Sequence, residues 1–134
     1  MLRNYIALFL FCGVLGWAID AFYRSTVAKK WISGTRIPGF SLVYALGGLL
    51  LLLIIPMFQH VFWLYKFVGY AIALSALEFV SGIFCKRFMK KTFWEYSKNF
   101  LNLKGHTDLL HAVYWGILGL TFELLLYPIF DKFI

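Results

Sequence analysis

Three carboxylates in this chain stand inside long apolar runs. An ionisable group in such a setting is costly unless it is paired or hydrated, so each is a candidate for chemistry. Asp20 precedes Arg24 by four residues, the favourable order for an ion pair along a helix surface. A local salt bridge and a functional charge are both open for it. Glu78 lies eight residues before Lys86. That spacing puts it about 12 Å inside a helix end at 1.5 Å per residue. Its short side chain cannot reach free water from there, so it must face a partner helix, a cavity or a cation. Lys66 interrupts the same apolar run as Glu78 and Glu123 interrupts the last one, and the two are expected to form a structural ion pair across adjacent helices.

Between Lys86 and Asp108 the chain mixes Phe88, Phe93, Trp94, Tyr96, Phe100 and Leu103 with lysines. This segment supplies polar groups that could fold back on Glu78. The expectation is one substrate-binding cluster of Asp20, Arg24, Glu78, Trp94, Glu95, Tyr96 and Asn102, open to the cytoplasm. Two acids near one arginine suit a bound cation, a proton or a substrate amine.

Other chemistries lack their residues. No G-x-x-x-x-G-K-[ST] loop is present for ATP phosphates, and neither H-E-x-x-H nor G-x-S-x-G occurs. His60 is separated from His106 and His111 by a whole apolar run, and the latter two are five apart, which does not place them on one helical face. No metal site, no cofactor and no catalytic residue is assigned. Cys12 and Cys85 sit in or at the end of apolar runs and read as small hydrophobes.

The elements that must position these residues follow from composition. Of 134 residues, 62% are apolar, 21% aromatic and 14% charged. Soluble domains are about 25% charged. The excess apolar surface calls for an apolar solvent and excludes an ordinary soluble enzyme. Apolar runs cover Tyr5–Tyr23, Ile37–Phe58, Phe62–Cys85 and Leu109–Phe130. Each approaches the roughly 20 residues that span about 30 Å of hydrocarbon as a helix. Barrel strands are about half that length. The reading is an all-α, single-domain, four-helix membrane bundle with helices over about 5–24, 38–58, 61–86 and 109–130. An amphipathic cytoplasmic segment joins the third helix to the fourth. Gly13, Gly16, Gly47, Gly48, Gly116 and Gly119 are expected to be packing sites, since small residues let helices approach in lipid.

Orientation follows from charge. Arg24, Lys29, Lys30, Arg36, Lys86, Arg87, Lys90, Lys91, Lys98 and Lys104 flank one side of the four runs, ten of the thirteen Lys and Arg. Basic loops stay in the cytoplasm, so both termini are expected outside a plasma membrane. The net charge of +7 is accounted for in this way, and no nucleic-acid partner is expected. Four or more Lys or Arg beside a membrane helix do attract anionic headgroups.

Taken in order, several short patterns resemble a known family. They are Gly16-Trp17-x-x-Asp20-x-x-Tyr23-Arg24-Ser25, Glu78-Phe79-x-x-Gly82, Trp94-Glu95-Tyr96-Ser97, Asn102-Leu103-Lys104-Gly105 and Trp115-Gly116. This series is similar to the bacterial family labelled putative ABC transporter permease, type IV. Asp20 stands where that family usually has Glu, and Glu95 where it has Asp. The resemblance implies a transport role. Permeases of ABC transporters usually have more helices and a coupling helix that docks on an ATPase, so a four-helix chain would work as an oligomer or with partner subunits. Two other readings stay open: a membrane-embedded protein or enzyme acting on lipid headgroups, and a structural accessory subunit.

Overall fold

The computed structural model describes residues 2–30, 39–90, 94 and 96–132. Helix α1 covers Leu2–Ala28. Helix α2 covers Leu42–Ile54 and runs into a 3₁₀ turn at Ile55–Phe58. Helix α3 covers Trp63–Phe88. The last apolar run forms α4 (Leu109–Thr121), a π turn (Phe122–Leu126) and α5 (Tyr127–Asp131) without a break. The described chain is helical, with an isolated bridge between Leu103 and Thr107 and no strand among the described residues. Three stretches, Leu2–Ala28, Trp63–Phe88 and Leu109–Asp131, are long and apolar enough to cross a membrane.

The second apolar run departs from expectation. A helix over 38–58 was predicted, but the observed one starts at Leu42, and Pro38 lies outside the described residues. Gly39 sits in the left-handed region at φ 77°, where glycine has no steric penalty. Ser41 is extended, and its N–H donates to the Gly13 carbonyl of α1 at 2.8 Å. These two residues delay the helix, and α2 starts beside the middle of α1 instead of at the basic end of the bundle. The close approach needs glycine on α1. A Cβ on Gly13 would stand 2.0 Å from the Phe40 ring, and one on Gly16 would stand 2.0 Å from Tyr44 Cβ.

The π turn also has a local cause. Pro128 has no N–H to give Leu124, and its ring would crowd that carbonyl in a regular helix. The helix widens instead, so the Tyr127 N–H reaches the Phe122 carbonyl five residues back.

Packing pairs α1 with α2 and α3 with α4, while α2 joins the pairs through α3. The core is a column of Leu8, Cys12, Leu51, Leu52, Ile55, Tyr70, Leu74, Trp115 and Phe122. Outside it the chain is inverted relative to a soluble protein. Phe22, Ile72 and Leu124 are 74%, 65% and 74% exposed along the helix faces. Such faces need an apolar medium.

Candidate functional site

The basic end of the bundle holds most of the expected cluster. On α1, Arg24 Nε donates to Asp20 Oδ2 at 2.9 Å, one turn apart and both about one-fifth exposed. On α3, Glu78 is on the same buried face as Tyr70, Leu74 and Gly82 and keeps 5% of its surface. Thr107 and Trp115 stand beside its carboxylate, and Asp20 and Asp108 lie within electrostatic reach. Even so, Glu78 Oε1 is buried with no hydrogen-bond partner among the described residues, and so is Thr107 Oγ1. The two neighbours are close to the carboxylate, but neither meets Oε1 with bonding geometry. An orphaned buried acceptor is rare in folded proteins and calls for a functional account.

The stretch 94–108 makes the roof. Its described residues form turns, with positive φ at Leu101, Lys104 and Gly105. Trp94 donates its indole N–H to the His106 carbonyl at 2.7 Å. The Tyr96 N–H reaches Gly105 O at 2.9 Å, and the Leu103 N–H reaches Thr107 O at 2.8 Å. Asn102 commits both ends of its amide to this loop. Nδ2 donates to Ser97 O and Asn99 O, and Oδ1 accepts from the Gly105 N–H. The roof then seats His106 on α3 at Gly82, where a Cβ would come within 2.5 Å of His106 Nδ1.

Asp108 ties the roof to α4. It is the N-cap residue, accepting from the His111 N–H at 2.7 Å and meeting His111 Nδ1 at 2.6 Å. Asn99 Nδ2 donates to its other oxygen. Burial raises the Asp108 carboxyl, but the hydrogen bonds from His111 and Asn99 outweigh it and hold the group below its ordinary value. His111 stacks on Tyr96 with centroids 4.0 Å apart, and Tyr23 of α1 meets both His111 and Tyr114 edge-on. Burial first, and then the nearby Glu78 charge, push the Tyr96 hydroxyl well above its usual range, so it is a neutral donor.

Asp20, Arg24, Glu78 and Tyr96 therefore converge. Trp94 and Asn102 brace the roof from within, and Glu95 lies outside the described residues. The residues that spacing missed are Tyr44, Thr107, Asp108, His111 and Trp115. Asp108 did carry a signal: an Asp just before an apolar run is a helix N-cap pattern. Trp115 and Tyr44 form an aromatic pair 4.9 Å apart within reach of Glu78.

At the opposite end, Lys66 Nζ on α3 donates to Glu123 Oε1 on the π turn at 2.8 Å, with side chains 18% and 14% exposed. Tyr70 and Tyr127 lie beside Glu123.

Comparison with known proteins adds one decisive match. Residues 7–134 match the model of the family described as Putative ABC-transporter type IV. The chain belongs to this family. No curated protein and no solved structure matches it.

Proposed function

We propose that this chain is a small multi-pass component of a plasma-membrane transporter, permease-like in role, with its substrate groups at the basic end of the bundle. The observation that carries the reading is Glu78, a buried carboxylate with one oxygen unpartnered among the described residues, beneath a separately folded roof. A subunit that merely tied helices together would gain nothing from such a group, because leaving it unpaired in an apolar medium is unfavourable. Family membership supports transport in general. In this reading α2 joins the three longer helices in a four-helix membrane bundle, both termini face outside, and the basic loops face the cytoplasm. The exposed Phe100, Leu101 and Leu103, 75%, 62% and 58% exposed, then rest at the headgroup level between Lys98 and Lys104, where anionic lipid is the partner.

Two experiments test this. Glu78→Gln keeps the shape and removes the charge; transport by the complete system is expected to be lost while the folded protein still accumulates in the membrane. Full activity in a folded variant would replace the reading with that of an accessory subunit. Reporter fusions after Phe58 and Ile134 should mark the outer side, and fusions after Lys30 and Lys98 the inner side.

A further inference from the structure

Helix α2 begins at Leu42, beside Gly13 and Gly16, so it does not run along the second half of α1. On that half an open groove of about 500 Å³ is lined by Trp17, Ala18, Ala21, Phe22, Ser25 and Thr26. At about 100° per residue these positions share one helical face. Ala21, Ser25 and Ala18 form a floor of small residues, with Trp17 on one side and Phe22 on the other. Small floors let a neighbour lie close against a membrane helix. From Trp17 to Thr26 the groove is about 14 Å long at 1.5 Å per residue. Half of the hydrocarbon core is about 15 Å thick. One acyl chain lying along α1 matches that length, from headgroup level to the middle of the membrane.

The end of the groove is basic. Helix α1 stops just past Thr26, where the Lys30 N–H donates to the Ser25 carbonyl at 3.2 Å and Lys29 turns left-handed at φ 57°. Glycine is the usual residue at such a stop. Here the stop holds two lysines at the mouth of the groove. Both are exposed, and neither has an ion pair among the described residues, whereas Arg24 is committed to Asp20. Lysines beside a membrane helix attract anionic headgroups. They oppose a second copy of this chain on the same face. Copies in one membrane share an orientation, so two-fold packing here would set each pair of lysines against its counterpart. We propose that this groove binds one anionic phospholipid, with an acyl chain over Ala18, Ala21 and Ser25 and its phosphate at Lys29 and Lys30. The site requires that α1 cross the membrane and does not depend on the transport reading.

The test reconstitutes the full chain in phosphatidylcholine vesicles that carry a small fraction of one lipid with brominated acyl chains, either phosphatidylglycerol or phosphatidylcholine. Bromine quenches tryptophan on contact, and the Trp17 signal is the difference between the wild type and Trp17→Phe. Brominated phosphatidylglycerol is expected to quench Trp17 several-fold more than brominated phosphatidylcholine. The preference should vanish when Lys29→Gln and Lys30→Gln are combined; both side chains are exposed, so folding is not at stake. Trp63 at the start of α3, followed in the same way with Trp63→Phe, should show no preference. Equal quenching of Trp17 by the two lipids overturns the site, and so does a preference that survives the loss of both lysines. A preference as strong at Trp63 reduces the effect to the net charge of the chain and overturns it too. Lys98→Gln with Lys104→Gln should leave Trp17 quenching unchanged; loss of the preference there moves the headgroup to the neighbouring loop and overturns the assignment to Lys29 and Lys30. Quenching of Trp17 by neither lipid removes the lipid, and a disulfide between two copies of Ala18→Cys would then name a second copy as the occupant.

Discussion

The two ends of the bundle solve the same problem in opposite ways. Each buries a carboxylate in an apolar helix surface. At the Lys66 end, Glu123 meets an ammonium at 2.8 Å, carried by a helix that packs closely on its own. At the basic end, Glu78 has Thr107 and aromatic rings beside it, and one oxygen has no partner among the described residues. The difference shows that burial of charge by itself does not mark a working site. What separates the two is whether the fold has already supplied the counter-ion.

The sharpest way to break this comparison is to remove charge at each end. Lys66→Met strands Glu123 beside an apolar neighbour. Breaking a buried pair in this way costs on the order of 3 kcal/mol, and the double variant with Glu123→Leu should recover most of it. Glu78→Gln removes a charge that has no fixed partner, so stability should hold or rise slightly. Unfolding in mixed detergent, followed by circular dichroism, measures both. Equal destabilisation by Lys66→Met and Glu78→Gln would mean that Glu78 has a fixed partner after all.

A smaller effect is expected at the seat of the roof. Gly82→Ala places a Cβ 2.5 Å from His106 Nδ1 and 2.9 Å from His106 Cβ, so the loop must move. Amides that the roof protects, such as those of Tyr96 and Leu103, should exchange several-fold faster with solvent, while α3 and α4 keep their protection. Unchanged exchange would show that the roof does not depend on this contact.

The smallest effect concerns Asp108. Losing an N-cap costs about 1 kcal/mol, so Asp108→Ala should loosen the roof by roughly that amount. Its folded carboxyl is held below the ordinary value of 3.8. The contribution is therefore complete above that value and is lost as pH falls through the lower folded one. Protection of the roof amides, their exchange relative to the intrinsic rate at each pH, should fall on acidification in the wild type and lose that dependence in Asp108→Ala.

Much of the helical plan was legible from residue order. Apolar runs of about 20 residues have few ways to satisfy their backbone in lipid even where one or two charges interrupt them, so helices over the first, third and fourth runs follow directly. The start of the second helix was not legible, because it depends on Ser41 bonding to the Gly13 carbonyl, a contact between residues 28 positions apart. The π turn had a cause in Pro128, but its consequence, presenting Glu123 to Lys66, needed the neighbouring helix in place.

The sequence by itself determined which groups would be scarce and therefore informative: a few acids in apolar surroundings, lysines gathered on one side, and an i,i+4 pair at Asp20 and Arg24. Helical periodicity and the cost of dehydrating charge act locally, so they can be read along the chain. Only the tertiary structure decided who stands beside Glu78. Thr107 reaches it because Asn102 folds the roof, Asp108 caps α4 and Gly82 leaves room for His106. Tyr44 and Trp115 come from two further helices. No periodicity encodes a meeting of four segments, because the contacts arise from how the helices pack, and spacing along one helix carries no record of its neighbours.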